Sequence, residues 1–165
     1  MTSSKLPDSE TVLVTETGQG KFQMEARMGA SVLVMDEPVA AGGAGAGPNP
    51  YDMIAAAVGA CTAMTIRLYA NRKGWPLEQV RAAVRHSRPS LDAKDQFTLD
   101  ITLEGPLDAE QKARMMEIAE RCPVHLTLAR GSEVVARLAP EEKIAAMRPI
   151  QSAGHMSCME EACAE

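Results

Sequence analysis

Residues 51–73 constrain the fold most, because they form one long helical pattern that carries no charge between Met53 and Met64. Pro50 suits the first turn of such a helix, and Gly74 suits the position that follows its last turn. A helix that is apolar on every face needs burial on every face. In a chain of 165 residues, this pattern predicts a helix that runs through the core or lies in a subunit interface.

Alternating apolar residues predict strands on both sides of this helix. The predicted strands are 11–17, 21–28, 31–35, 79–87, 96–103 and 132–138. A second helix is predicted over 108–121, with a capping box between Asp108 and Gln111, and it ends at the proline after Cys122. The Gly-rich stretch 40–50 is predicted to be a flexible loop, and it lacks the Gly-Lys-Ser/Thr of a phosphate loop. This order of elements indicates an α+β fold with mostly antiparallel sheet.

Charge and hydropathy exclude several classes of protein. The net charge of −5 opposes binding to phosphates, so we predict no nucleic-acid partner. We expect no membrane partner and a cytoplasmic location, because no uninterrupted apolar run approaches 18 residues and the N-terminus lacks the apolar core of a signal peptide. Residues 1–138 are predicted to form a single domain. Residues 139–165 are predicted to be an acidic, weakly structured extension that holds one short helix at most.

The four cysteines are expected to be reduced in the cytoplasm, which disfavours a structural disulfide framework. Cys61 faces along the apolar stripe of the long helix, where a small buried core residue is the simplest interpretation. Cys122 ends the second helix, with His125 three positions further on. Either both cysteines are inert core thiols, or they meet in the fold and cycle between dithiol and disulfide. Spacing alone leaves both interpretations open.

The C-terminal segment contains His155, Cys158 and Cys163, which are three soft ligands of the kind that bind zinc or copper. A closed structural zinc site needs four ligands, and this spacing is not a standard one. We therefore predict no metal site, and a redox role or an unreactive tail stays open for these residues.

Two sequence blocks together resemble the OsmC/Ohr family of small thiol proteins, over about residues 10–138. The first block contains Gly-Pro-Asn-Pro-Tyr-Asp at 47–52 and Gly-Ala-Cys-Thr-Ala-Met-Thr at 59–65, and the second is Cys-Pro-Val-His at 122–125. The resemblance implies an OsmC-like fold, with antiparallel sheets packed on two long central helices, in an intertwined homodimer. It also implies that Cys61 is the peroxidatic thiol and Cys122 the resolving thiol. The expected partners are a small organic hydroperoxide and an external dithiol reductant, with no cofactor.

The chain differs from the organic-hydroperoxide branch of that family at two positions. Tyr51 stands where that branch has a Glu after Asn-Pro, and Gln19 stands where it has an Arg in the first hairpin turn. The remaining candidates for support of the thiolate or the substrate are Tyr51, Asp52, Arg27 and His125. These differences favour an alternative, a ligand-binding or redox-sensing module with an apolar pocket beside Cys61 for a lipid-like molecule. A third hypothesis is an interaction protein whose cysteines are inert.

Overall fold

The structure is a computed structural model that describes residues 11–151 and 154–164. The chain divides into two compact units, each of which combines segments that are distant in sequence. The first unit comprises the chain up to Pro50 together with Glu133–Gly154, and the second comprises Tyr51–Ser132 together with His155–Glu165.

The first unit is built on a three-stranded antiparallel sheet in the order β1-β2-β3. The strands are β1 (Val12–Glu16), β2 (Met24–Met28) and β3 (Ser31–Met35), and a short 3-10 turn follows at Val39–Ala41. Ala26 of β2 lies opposite Val14 of β1 and Leu33 of β3, and it is buried. The predicted hairpin and the predicted third strand are both confirmed.

The Gly-rich segment after β3 is more ordered than a flexible loop. The carboxylate of Asp36, which is only 2% exposed, accepts hydrogen bonds from the backbone N–H groups of Ala44 at 3.0 Å and Ala46 at 3.2 Å. A Cβ atom at Gly43 would lie 2.0 Å from the carbonyl oxygen of Glu37, so this close approach requires glycine. The prediction of a flexible loop overlooked the buried carboxylate that organises the segment.

The second unit contains the long helix and the second sheet. Its elements up to residue 130 are α1 (Pro50–Lys73), β4 (Gln79–Ser87), β5 (Gln96–Glu104), α2 (Ala109–Ala119) and α3 (Pro123–Arg130). Helix α1 ends as predicted, because Gly74 has a φ of +65° and the N–H of Trp75 donates to the carbonyl of Ala70 at 3.0 Å. Strands β4 and β5 pair antiparallel, and Asp108 caps α2 in a capping box with Gln111.

The core of the second unit joins α1 and α2 to the β4–β5 sheet. Its buried residues are Ile66, Tyr69, Ala70, Leu77, Met115, Ile118, Ala119 and Cys163. Aliphatic residues of the sheet, among them Val80 and Ile101, pack against this cluster. The core therefore consists mainly of aliphatic side chains and methionine, with Tyr69 packed edge-on against Trp75.

Among the described residues, α1 is the one helix long and apolar enough to cross a membrane, with a mean hydropathy of 1.5 over its most apolar window. Eight of its residues are buried, as expected of a core helix. Its Ala56, Ala60 and Met64 are nevertheless exposed in the single chain. The single chain therefore does not bury α1 on every face, and full burial would need a surface from outside this chain.

The C-terminal quarter of the chain differs from its prediction. Residues 132–138 are not a strand, and Val134 and Leu138 are almost fully exposed. An alternating pattern holds a strand only where a neighbouring strand completes its hydrogen bonds, and the described chain provides none here. Two helices follow, α4 (Glu141–Ala146) and α5 (Gly154–Ala162), where one short helix at most was expected. A domain boundary at residue 138 stays a prediction.

Candidate active site

Cys61 and Cys122 lie side by side inside the second unit, although they are 61 positions apart in the sequence. Their Sγ atoms are 2.7 Å apart, and the residues are 3% and 0% exposed. Both are free thiols. A disulfide bond is about 2.05 Å long, so the two sulfurs need to approach by roughly 0.7 Å to form one. Of the two interpretations of these cysteines, the geometry favours the thiol pair.

The proline after Cys122 determines where this cysteine lies. It pushes Cys122 out of the helical conformation, to a φ of −53° and a ψ of 129°, and it begins α3 itself. Cys122 thereby becomes the N-cap of α3. The sequence predicted the end of the preceding helix to within two residues, but it predicted no helix at Pro123–Arg130.

The environment of Cys122 favours its thiolate. The hydrogen bond between the two thiols is the largest cause of a lowered pKa at Cys122, and the backbone N–H groups of His125 and Val124 at the start of α3 act in the same direction. Burial opposes this shift. Because free N–H groups and the helix dipole meet at a helix N-terminus, a negative sulfur is stabilised there.

Cys61 has the opposite tendency in this pair. Its pKa is raised, first by the hydrogen bond with Cys122 and next by burial. Two negative sulfurs at 2.7 Å would repel each other strongly, so the pair gives up one proton readily and holds the second. When the pair ionises, it therefore carries a single negative charge that two sulfurs can share.

Helix α5 covers the two thiols. The Nε2 atom of His155 lies 3.2 Å from the Sγ of Cys61, and Met159, which is 1% exposed, packs against both cysteines. The thiol of Cys163 donates to the carbonyl of Thr65 at 3.6 Å. Arg72 on α1 donates to a backbone carbonyl of α5 at 3.0 Å, which fixes the helix at a second point.

Sequence reasoning missed the contribution of α5 to this site. His155, Met159 and Cys163 lie four residues apart, so they share one face of a helix. That spacing was the available signal, but Cys158 drew attention to metal chemistry instead. The structure separates the soft ligands, since His155 faces Cys61 and Cys158 is exposed. Within residues 11–151 and 154–164, no group of three or more His, Cys, Asp or Glu side chains could hold a metal ion.

A mainly apolar cavity of about 460 Å³ lies near the thiol pair, although neither cysteine lines it. Thr62, the neighbour of Cys61 on α1, lines it together with His125 and with Phe97 and Leu99 of β5. The sequence-predicted candidate His125 is therefore placed at this cavity. Its role toward a thiolate or a substrate stays a prediction.

The candidates Tyr51 and Asp52 stand at the start of α1. The Tyr51 ring stacks on His86 with ring centroids 4.2 Å apart, and its hydroxyl accepts a hydrogen bond from Arg88. Asp52 is exposed and lines a groove beside the small residues of α1. Whether either residue contacts a substrate stays a prediction.

The candidate Arg27 belongs to the first unit. Its Nε donates to a carboxylate oxygen of Glu25 at 2.6 Å, and its side chain is 57% exposed. The guanidinium of Arg27 is therefore paired with a carboxylate of the same strand, β2. Its predicted role as the replacement for a missing charge is not tested by these contacts.

Comparison with known proteins places the chain in a family. A family model described as OsmC-like protein matches residues 42–137. The chain is similar in structure to an OsmC-like protein from Mycoplasma pneumoniae, with 18% identity, 74% of this chain and 88% of that chain covered, and a TM-score of 0.62. Comparison with curated proteins found no match.

Two further solved structures carry functional descriptions. An organic hydroperoxide resistance protein OsmC from Legionella pneumophila, also described as a predicted redox protein, is 25% identical over 73% of this chain and 90% of that chain, with a TM-score of 0.56. The organic hydroperoxide resistance protein OhrB of Bacillus subtilis is 22% identical over 71% and 90%, with a TM-score of 0.50. These folds confirm the predicted α+β architecture, and the chain belongs to the OsmC-like protein family.

Proposed function

We propose that this protein reduces organic hydroperoxides through a dithiol–disulfide cycle between Cys61 and Cys122. The observation that carries the proposal is the 2.7 Å separation of two buried, reduced sulfurs held on different helices. Inert core cysteines have no need of such an approach, whereas a peroxidatic and a resolving thiol must come within bonding reach.

The cycle has two chemical steps on this chain. The Cys61 thiolate attacks one oxygen of the hydroperoxide, the O–O bond breaks, and the alcohol leaves after taking up a proton, so that Cys61 becomes a sulfenic acid. The Cys122 sulfur then attacks the Cys61 sulfur, water leaves, and the two residues form a disulfide. A dithiol from outside the protein reduces this disulfide by thiol–disulfide exchange, which restores both thiols.

The apolar cavity beside Thr62 supports an organic substrate rather than hydrogen peroxide alone. Phe97, Leu99, Ile101 and Met116 form its apolar part, Glu117 and Glu120 also line it, and its volume of about 460 Å³ accommodates a hydrocarbon group. The similarity to proteins described as organic hydroperoxide resistance proteins supports the same substrate class. The cycle needs no resident cofactor, but it needs a reducing compartment, and on that ground we assign the protein to the cytoplasm.

Hydroperoxide consumption by purified protein tests this function. With cumene hydroperoxide and dithiothreitol or lipoamide, the wild-type protein is expected to turn over repeatedly. Cys61→Ser is expected to abolish consumption, because it removes the attacking sulfur. Cys122→Ser is expected to slow turnover with the dithiol, because the sulfenic acid loses its resolving partner.

The matched control is Cys158→Ser, which removes an exposed thiol on α5 and is expected to turn over like the wild type. The proposal is wrong if the wild-type protein consumes no hydroperoxide, or if Cys61→Ser consumes it as fast as the wild type does. A mass spectrum after one addition of peroxide, without reductant, is expected to show a Cys61–Cys122 disulfide.

One observation favours a redox sensor as the second candidate function. Both sulfurs are almost fully buried under α5, and burial slows attack on a peroxide. A sensor would form the same disulfide slowly, and it would not regenerate fast enough for turnover. Disulfide formation with rapid loss of turnover in the assay above would favour the sensor over the enzyme.

A further inference from the structure

His155 lies outside the segment that matches the family model, which ends at residue 137. Among the described residues, its imidazole is a basic group that reaches the sulfur of Cys61, with an Nε2–Sγ distance of 3.2 Å. It lies in the first turn of α5. Met159, one turn further on, packs against both thiols.

The other basic groups around Cys61 need to be weighed against His155. The charged and titratable side chains on the elements packed near the pair include Arg67 and Arg72 on α1, Arg121 before Cys122, His125 on α3, and Glu160 and Glu161 on α5. Arg67 donates to the backbone carbonyls of Leu77 and Glu78, and Arg72 donates to that of Glu160. These two arginines hold the backbone in place, whereas His155 faces the sulfur.

The start of α3 alone would place the negative charge of the pair on the wrong sulfur for the proposed cycle. The N–H groups of both Val124 and His125 favour a thiolate on Cys122, the resolving cysteine, whereas only that of Val124 favours one on Cys61. A peroxidatic Cys61 needs a group beside its own sulfur that favours the charge there. The imidazole of His155 occupies that position.

We propose that His155 takes the proton of Cys61 and, as an imidazolium, holds the negative charge of the thiol pair on Cys61. The proton moves from the Cys61 sulfur to Nε2 of His155, while the Cys122 thiol keeps its proton and donates it to the Cys61 thiolate. The step creates one positive and one negative charge 3.2 Å apart, so the net charge of the buried site does not change. This inference rests on the proposed function, because it assigns the activating group of the same site.

The location of His155 has a consequence for the whole site. The peroxidatic sulfur is activated by the C-terminal segment of the chain, not by residues of the matched family segment. Helix α5 then both covers the thiols and sets which of them reacts. The Tyr that stands in place of a Glu at residue 51 is compatible with this arrangement, since the charge partner of Cys61 comes from another helix.

Competitive alkylation tests this inference without any hydroperoxide. The protein is treated with limiting iodoacetamide between pH 5 and pH 9, and a mass spectrum measures the ratio of label on Cys61 to label on Cys122. In the wild type we expect Cys61 to be labelled preferentially, with a preference that changes with pH. In His155→Gln we expect the ratio to fall by about tenfold and to lose that pH dependence, since one pKa unit corresponds to a factor of ten.

The matched control is Met156→Gln, which introduces the same residue at the adjacent, exposed position of α5. Its label ratio is expected to equal that of the wild type at every pH. The total rate of labelling reports whether α5 stays in place, because detachment of the helix would raise that rate for both cysteines. If His155→Gln raises it, His155→Phe, which retains a ring against Cys61 but has no proton acceptor, decides the question.

The inference is overturned if the label ratio of His155→Gln equals that of Met156→Gln across the pH range. Where His155→Gln detaches the helix, the same comparison is made with His155→Phe. Failure of the proposed function would have a different signature. In that case the wild-type protein would not consume cumene hydroperoxide, while the alkylation ratio would still depend on His155. The two outcomes are therefore separable in the same set of proteins.

Discussion

At the scale of single residues, the two thiols of this protein have the same chemistry but unequal surroundings. Cys122 faces the N–H groups at the start of α3, whereas Cys61 sits in the middle of α1 with His155 against its sulfur. A mid-helix cysteine receives nothing from the dipole of its own helix, because that field acts within the first turn. Groups outside its own helix must therefore favour a thiolate on Cys61, and the backbone N–H of Val124 and the side chain of His155 both approach its sulfur.

Asp36 is the second residue whose surroundings decide its chemistry. Burial opposes its ionisation, but hydrogen bonds from the backbone N–H groups of Ala46, Glu37 and Ala44 outweigh burial and hold its pKa below the ordinary value. A carboxylate with a depressed pKa in the folded state stabilises the fold above its unfolded pKa, near 3.9. That stabilisation is lost as the pH falls through the folded pKa.

We predict that Asp36→Asn lowers the free energy of unfolding at pH 7, because the amide cannot accept all three hydrogen bonds. The deficit relative to the wild type is expected to shrink as the pH falls below about 4, because the carboxyl of the unfolded chain takes up a proton before that of the folded chain does. Urea unfolding at pH 7, 5 and 3 measures this difference. Asp92→Asn, at an exposed loop position, serves as the control, and a deficit that does not vary with pH would contradict the prediction.

At the scale of elements, the sequence was sufficient to predict a helix or strand wherever residues of that element mark its ends or its alternation. Helix α1 has a proline at its start and Gly74 after its end, and α2 has its capping box, so both were predicted within a few residues. Strands β4 and β5 alternate clearly and were predicted with almost the observed bounds.

The failures have a common physical origin, because each depends on a distant partner. The alternation at 132–138 is real, but no described strand pairs with it. Helix α5 has few charges to mark its polar face, so its sequence does not indicate an amphipathic helix. It packs on Cys61 and Cys122, and this contact is not visible in the sequence. The proximity of the two sulfurs likewise follows from tertiary packing, which spacing in the sequence does not encode.

Helix α5 also provides an element-scale prediction about access to the thiols. Met159 is the buried side chain of this helix that packs against both thiols. Replacing a buried methionine by alanine costs about 2–5 kcal/mol, and each 1.4 kcal/mol is a factor of ten in an equilibrium. We therefore expect Met159→Ala to expose the thiols more often and to raise their total rate of alkylation at least tenfold.

The control for this prediction is Met156→Ala on the same helix, at a position that is 45% exposed. It removes the same atoms from a residue that does not touch the thiols, so its alkylation rate is expected to match the wild type. Equal rates in Met159→Ala and Met156→Ala would mean that α5 does not control access to the pair.

At the scale of the whole molecule, the single chain leaves apolar surface that a solvated protein normally covers. On α1, Ile54 and Met64 are 36% and 54% exposed, and the small residues between them leave an open groove. In the first unit, Val12, Val14 and Val32 are each more than half exposed. Exposed apolar area of this extent on two parts of a chain is typical of a protein that associates with a partner.

We propose that a second copy of the chain covers the exposed face of α1, in line with the homodimer expected from the family resemblance. The helix is apolar where it meets solvent, with no charge from Met53 to Met64, so the fitting surface is equally uncharged. A second copy offers such a surface through the same residues, as a two-fold interface requires. The sequence expectation of a helix buried on every face would then be met by two chains together.

Met64→Glu tests this assembly, because it places a charge on the exposed, uncharged face of α1. Burying an unpaired carboxylate is costly, so we expect the dissociation constant of the dimer to rise by about a hundredfold or more. Light scattering coupled to size-exclusion chromatography, over a range of protein concentrations, measures the mass of the wild type and the variant. Leu91→Glu adds the same charge to a loop residue that is 91% exposed, and it is expected to leave the mass at that of two chains. A wild-type mass of one chain at every concentration would refute the dimer, and an unchanged mass in Met64→Glu would place its interface elsewhere than on α1.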